Sequence, residues 1–377
     1  MSSDKPSIAE LKKRLMDLVD ALKETEKTVS SEVDDTAADS HERQGRADRI
    51  VGVDIGTSRI VSLVQKADGD ISGDLDLNGF VRVPHSEVTL QMLKKNNMKY
   101  QLSGADIAVL GYGAQEFAAL MNGEMQRPMK VGLLTPDEAE AVPMIRAIIR
   151  SLVRQTSNPE DTLCFSIPAP RQGYESELIY HRAIFQKLFT AMGYNTMSIS
   201  EGMAVVLSEL AKENYTGIGI SMGAGMCNIC FSFLSVPVLV YSIPKGGDDI
   251  DISVSRVTNE SISRVRLYKE NSLDLERAPV NKIEEALHIF YEDLILMLLK
   301  GIAHVFMQAQ TEHLPKLNRA LSVVIAGGTS MPKGFMMRFE RMLKQINLSI
   351  EIANVRLARD PLRATARGCL IRAGVGD

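Results

Sequence analysis

The sequence predicts an α/β chain folded as two domains, and three observations carry that reading. Its 377 residues exceed what one ordinary hydrophobic core organises. From Arg49 onward, short apolar strands alternate with helical stretches, the pattern of an α/β architecture. One kind of glycine hairpin also occurs twice, near Asp54 and again near Ser221, one copy for each domain. Apolar residues at 45% and charged residues at 24% fit a soluble globular protein. A net charge of −4 provides no concentrated basic surface for nucleic acid. Four cysteines (Cys164, Cys227, Cys230 and Cys369) are too few for a disulfide framework and suit a reducing cytoplasm.

Residues 1–48 differ from the rest. Ile8, Leu11, Leu15, Leu18 and Leu22 recur at three- and four-residue steps and form one stripe on a helix, with Ser7 and Glu10 as a capping box. The stripe over residues 7–29 fits a coiled coil or partner helix, packing on its own domain, or, less favoured, contact with a membrane surface. This N-terminus is charged and amphipathic, unlike a secretory signal. The polar, acidic run that follows reads as a linker.

Next, "RIVGVDIGTSRIVSLVQ" reads as strand, glycine turn, strand, and "PDEAEAVPMIRAIIRSLVRQ" as a helix. "DTLCFSIPAP" is a short buried strand running into a small-residue turn. The stretch from Asn214 to Pro244 is uncharged and long enough to span a bilayer. Its glycines, prolines and β-branched bursts instead predict two buried strands around a glycine turn. "KIEEALHIFYEDLILMLLKGIAHVFMQAQ" reads as a core helix, because Glu292, Asp293 and Lys300 flank its apolar run. A lone Cys227-x-x-Cys230 on a strand points its thiols to opposite faces, which argues for buried cysteines rather than a zinc site.

Several turns carry candidate chemistry. In "VDIGTSR", Asp54 ends a strand before Gly56, Thr57 and Ser58, whose amides and hydroxyls can converge on an anion; D-x-G is also a common plain turn. Asp54 would face magnesium through water, since that ion keeps much of its hydration shell. "SMGAGMCN" supplies a second such turn with Ser221, Gly223, Ala224, Gly225 and Met226. Paired across two domains, the turns could clamp the β- and γ-phosphates of a nucleotide. In "VVIAGGTSMPKGF", Gly327, Gly328 and Thr329 end a strand where a base and ribose could lie flat. Glu201 opens an apolar helix, placed either to orient a water for attack on phosphate or simply to meet the helix dipole. Gly246, Gly247 and Asp248 form a tight turn that closes over phosphate or ribose, or is only a loop.

In order and spacing these elements resemble the actin-like ATPases. "VDIGTS" resembles their first phosphate motif, "ISMGAGMCNI" the second, and "VVIAGGTSMPKG" the adenosine motif. "SISEGMAVV" is similar to the stretch carrying the water-orienting glutamate, and "SIPKGGDDID" and "ARDPLRATARG" resemble stretches of the MreB and MamK bacterial actins. The resemblance covers residues 49–377 and implies a ribonuclease H-like pair of domains around an ATP–magnesium cleft. It implies a first domain of residues 49–213 plus 355–377, with a small subdomain near 81–128, and a second of residues 214–354. It also implies ATP and ADP as cofactors, Arg266 as the base-stacking cation, and head-to-tail filaments.

The sequence departs from the pattern where the family usually holds an aspartate: this chain has Ser221, followed by Met226, Cys227 and Asn228 instead of threonines and an acid. A missing carboxylate beside the metal's water shell costs roughly 10–100-fold in affinity or activity. The expectation is a cytoplasmic filament-forming protein with slow or impaired ATP hydrolysis. The alternative is a non-hydrolysing scaffold that recruits partners through its N-terminal helix. A small-molecule kinase is a third reading, for which no motif supplies an acceptor base.

Overall fold

The computed structural model describes residues 48–120, 123–134, 140–171, 173–309 and 320–375. The helix and linker expected over residues 1–48 lie outside the described residues except for Asp48. The chain begins with β1 (Arg49–Ile55), β2 (Arg59–Lys66) and β3 (Ile71–Leu77). A small unit follows: β4 (Phe80–Pro84), α1 (Glu87–Lys95), β5 (Tyr100–Ser103), β6 (Asp106–Leu110) and α2 (Gly111–Leu120). After α3 (Ala141–Leu152) come β7 (Thr162–Ile167), α4 (Glu175–Ala191), β8 (Asn195–Ser200) and α5 (Glu201–Glu209). The remainder runs β9 (Gly217–Met222), β10 (Cys227–Phe233), β11 (Val236–Ile243), α6 (Gly247–Thr258), α7 (Ile262–Asn271) and α8 (Lys282–Ala309). It ends with β12 (Leu321–Ala326), α9 (Phe335–Leu343), β13 (Ile352–Leu357) and α10 (Ala364–Val375).

Two five-stranded sheets repeat one another strand for strand. Their orders are β3-β2-β1-β7-β8 and β11-β10-β9-β12-β13. Each opens with a three-strand antiparallel meander whose first strand then pairs in parallel with the fourth, and the fourth with the fifth. This duplicated topology is the structural form of the two-fold glycine-hairpin echo. A separate three-stranded sheet, β4-β6-β5, forms the small unit.

The central strands β9 and β12 are buried along their whole length, and β1 and β7 nearly so. Parallel strands covered on both faces have no solvent side to make polar, so they read as continuous apolar runs. The edge strand β3 is exposed through its first half and carries the polar residues. On the second sheet, α8 buries Leu287, Tyr291, Leu298 and Phe306 in one cluster with Ile218, Ile220 and Phe231. It is therefore a core helix, and among the described residues no helix is long and apolar enough to cross a membrane. Cys227 packs into that cluster while Cys230 packs into one on the other face, as the strand spacing predicted. No group of three or more metal-ligating side chains occurs among the described residues.

One expectation needs correction. The uncharged stretch from Asn214 holds three strands rather than two, because Val236–Ile243 turns back along β10 as an additional antiparallel strand. Strand β13 pairs in parallel with β12 through Leu357.

The sheets are joined by α5 and α10. Helix α10 lies on β1, where Gly52 leaves its neighbours no room for a side chain: a Cβ there would collide with the Ala366 carbonyl and the Leu370 backbone. The same helix crosses α5 at Gly368, whose added Cβ would run into the Ala204 carbonyl. On its other side α5 packs on the second sheet, with Gly202 so close that a Cβ would sit 2.7 Å from the Cys230 nitrogen. Gly368→Val should therefore push the two helices apart and cost about 1–3 kcal/mol or more. Urea unfolding checks this; an unchanged midpoint would show that the helix pair tolerates a side chain there.

Candidate functional site

The turns that leave β1, β9 and β12 at their C-terminal ends converge on one cleft of about 320 Å³. Such strand ends are where open α/β sheets commonly place ligands. Of the residues singled out from sequence, Asp54, Gly56, Thr57, Ser58, Glu201, Ser221, Gly223, Ala224, Gly247, Asp248, Arg266, Gly327, Gly328 and Thr329 line this cleft. Gly225, Met226 and Gly246 do not.

Their absence has a packing cause. A Cβ on Gly225 would lie 2.5 Å from both the Thr57 hydroxyl oxygen and the Gly132 nitrogen, so this glycine seats the second turn against the first. The Met226 side chain is buried against Gly132. Gly246 backs onto the hairpin, where its Cβ would meet the Ala224 and Gly223 carbonyls at 2.5 and 2.6 Å. The next two amides bond the same hairpin: Gly247 N–H donates to Gly223 O (3.1 Å) and Asp248 N–H to Ala224 O (2.8 Å). The Gly246–Asp248 turn therefore buttresses the second hairpin from behind and keeps none of those amides for a ligand.

The first turn is closed by Gly56 N–H donating to Arg59 O (3.0 Å), and the second by Gly223 N–H donating to Met226 O (2.9 Å). Among the described residues the Thr57, Ser58 and Ala224 amides have no protein acceptor, and all three residues line the cleft. Unpaired amides grouped at turns make an anion nest. The Thr57 hydroxyl accepts from Gly132 N–H (3.0 Å), and Asn78 anchors the turn through its side-chain amide to Gly56 O (2.9 Å). On the β12 side, Gly327 takes φ +96° and passes directly against the Met222 backbone, an approach open only to glycine. Thr329 then donates its hydroxyl proton to Gly223 O (2.8 Å), tying the third turn to the second.

Two carboxylates sit at the cleft floor. Asp54 Oδ1 accepts from the Ser166 hydroxyl (2.8 Å), which in turn accepts from Ile55 N–H (2.9 Å). Glu201 starts α5 and is buried; its Oε2 accepts from the Ser221 hydroxyl at 2.8 Å. The residue standing in place of the expected aspartate therefore holds the glutamate expected to orient water. Asn228 ties the second hairpin to the first lobe by accepting from Ala169 N–H (2.8 Å). Its amide nitrogen meets no acceptor at normal hydrogen-bond geometry, although it lies close enough to Glu201 to favour the charged form. Burial pushes Glu201 up to about 8, Asp54 adds to the shift, and the Ser221 and Asn228 contacts only partly offset it. Burial likewise pushes Asp54 up to about 6, against the Ser166 bond.

A cationic group that sequence reasoning mostly missed forms another wall. Arg127 Nη1 bonds both oxygens of Asp248 (2.7 and 2.6 Å) and its Nη2 reaches the Ser58 hydroxyl (3.3 Å). Arg266 donates to Asp251 (3.1 Å) and Asp248 (3.3 Å), and Lys269 contacts Asp251 (2.6 Å) and donates to Gly247 O (2.7 Å). Burial would raise Asp248, yet Arg127, Arg266 and Lys269 together hold it below the ordinary carboxylate value. Glu270, paired with Arg59 at 3.1 Å, also lines the cleft. Arg266, Lys269 and Glu270 recur at three- and four-residue steps on α7, a one-face spacing that the sequence displays. Arg127 lies in a loop without a motif and carried no such signal. Arg266, expected to stack on a base, has its Nε and Nη2 edge taken by the two aspartates.

Glu201 keeps a proton in the folded chain that the unfolded chain, with an ordinary value of 4.5, has already lost. Its contribution therefore lowers stability as pH rises from about 4.5 to about 8, and Asp54 acts in the same direction up to about 6. Glu201→Gln should gain stability relative to the wild type between pH 5 and pH 9 by on the order of 3 kcal/mol. Denaturant unfolding across that range decides it; parallel pH profiles for the two proteins would refute the buried-carboxylate account.

Several solved structures share this fold at low identity. A MamK double helical filament aligns with a TM-score of 0.61 at 18% identity, over 86% of this chain and 98% of that one. MreB5 of Spiroplasma citri bound to AMPPNP gives 0.61 at 14% identity, over 88% and 97%. The ethanolamine utilization protein EutJ from Carboxydothermus hydrogenoformans gives 0.50 at 17%, over 97% and 99%. The two-sheet architecture is thus the actin-like two-domain fold. No curated protein sequence matched the chain. A family model did match, over residues 50–373, and by that match the chain belongs to the Volactin family.

Proposed function

We propose that this chain binds ATP with magnesium in the cleft and assembles head to tail into filaments, hydrolysing the nucleotide slowly. The observation that carries the reading is the meeting of Thr57, Ser58 and Ala224 amides, from turns of two different sheets, beside the Asp54 carboxylate. Similar folds include a MamK filament, a MamK mutant bound to AMPPNP and MreB5 bound to ADP. Within this reading the chain is a relative of the MreB and MamK branch, acts in the cytoplasm, and divides into the two domains set out from sequence with the boundary moved past Leu357.

The residues fit a magnesium ion only in company. A buried Glu201 and a half-buried Asp54, both with raised proton affinity, call for a positive neighbour; no described cluster holds three ligands, so Asp54 would hold the ion through water, with phosphate oxygens and further waters as its other ligands. Bound ATP–magnesium would supply the phosphoanhydride and the charge that offsets Asp54. The unpaired amides of both turns bind phosphate oxygens, and Gly327 and Gly328 leave the backbone open to the nucleoside. Glu201 must lose its proton before it can orient a water, and the Ser221 bond fixes its direction. An aspartate at position 221 would add a third negative charge there; a serine adds none. That difference supports slow turnover, and it keeps a second reading in play, a scaffold that binds ATP without hydrolysing it.

Calorimetry and sedimentation of the full chain test the proposal. The wild type should bind ATP–magnesium and sediment as polymer with ATP, while Asp54→Ala should weaken binding by about 10-fold or more. No binding at millimolar ATP, or a monomer under every nucleotide condition, would overturn it. Phosphate release measured on the same samples separates slow hydrolysis from none.

A further inference from the structure

The cleft is electrically lopsided. Asp54 and Glu201 crowd its floor, while Arg127, Arg266 and Lys269 meet only Asp248 and Asp251 on the opposite wall. That wall therefore carries one positive charge more than its carboxylates balance. Arg127 is its link to the first lobe. Its side chain is only 12% exposed, and it belongs to a segment fixed to that lobe on both sides. Gln126 exchanges backbone hydrogen bonds with Phe80 (2.9 Å each way), and Gly132 donates to Thr57. Its partner Asp248 begins α6, beside the second sheet, so the ion pair bridges the cleft.

Arg127 also touches the first turn through Ser58, so an anion held by the Thr57 and Ser58 amides lies beside its guanidinium. Arg127, Asp248, Arg266, Thr57, Ser58 and Glu270 line a second cavity of about 520 Å³ as well, whose far wall includes Ala118, Met125, Ile252 and Leu267. The Arg127–Asp248 pair therefore belongs to the wall that the two spaces share, with open volume on both sides of it.

We propose that Arg127 is a terminal-phosphate sensor: it exchanges its carboxylate partner Asp248 for the third phosphate of a nucleoside triphosphate seated on the first turn. This rests on the reading that ATP occupies the cleft. The exchange trades one charge-assisted pair, Nη1 with both Asp248 oxygens, for another with phosphate, an anion whose geometry suits a planar guanidinium. It breaks the bridge to α6 only when the third phosphate is present, because a diphosphate lacks the group that takes Asp248's place. Asp248 then keeps only its Arg266 contact, and the link from the first lobe to α6 follows the state of the nucleotide.

The test is calorimetric titration of the full-length wild type, Arg127→Gln and Asp248→Asn with ATP–magnesium and with ADP–magnesium. The wild type should prefer ATP. Arg127→Gln should lower the ATP-to-ADP affinity ratio about 10-fold or more while leaving ADP affinity near the wild-type value. Asp248→Asn, which removes the competing carboxylate, should raise the same ratio. An unchanged ratio in either folded variant, or an equal loss of both nucleotides in Arg127→Gln, overturns the sensor while leaving the nucleotide site standing. A wild type that binds neither nucleotide overturns both. Thermal unfolding identifies a variant that has not folded; should Arg127→Gln fail that check, Asp248→Asn alone decides.

Discussion

The arrangement depends on how closely α5 and α10 approach each other. Gly368 lets α10 lie against the Ala204 carbonyl, and Gly202 lets α5 lie against β10, so one short helix serves as the shared wall between two sheets. A side chain at either glycine would move a sheet, and with it one turn of the cleft. Glu201 is the first residue of that helix, so the carboxylate at the cleft floor is positioned by the same contact that joins the lobes. Packing and chemistry are set here by a single close crossing, and interiors packed at crystal-like density transmit such shifts rather than absorbing them.

Electrostatics supply the second constraint. Burying carboxylates without a counter-charge is unfavourable, and the cleft holds a buried Glu201 beside a half-buried Asp54. Burying more cations than anions on the facing wall is unfavourable for the same reason. The two imbalances have opposite sign. A ligand with a metal cation at one end and phosphate oxygens at the other relieves both at once, whereas a neutral ligand relieves neither. Selectivity of this kind comes from desolvation the protein has already undergone in folding.

Much of the fold was legible because it rests on patterns the chain must display. Strands buried on both faces are continuously apolar, as in Gly217–Met222 and Leu321–Ala326, and the glycine turns sit where strands end. The third strand of the uncharged stretch was missed because "SVPVLVYSI" has neither a turn dipeptide nor clean alternation to separate it from the strand before. Around the cleft, the turns themselves were legible because their glycines, such as Gly223 and Gly327, mark where backbone needs room. Residues brought in by tertiary packing were not. Gly225 and Met226 look like ligand-binding residues in a motif but serve to lock neighbouring turns, and Arg127 reaches the cleft from a loop with no local signature. The replacement of an aspartate by Ser221 was visible, but its bond to Glu201 needed coordinates, since the two residues are 20 positions apart in sequence.

The interlock of Gly225 with Thr57 and Gly132 has a mechanical consequence. The tips of the two phosphate-binding candidates touch one another across the gap, with no space even for a methyl group between them. Any clam-like gape of the lobes must therefore pivot about that point of contact, like scissors about their rivet. The paired tips would then travel least, so their spacing is set by packing and not by how far the lobes part.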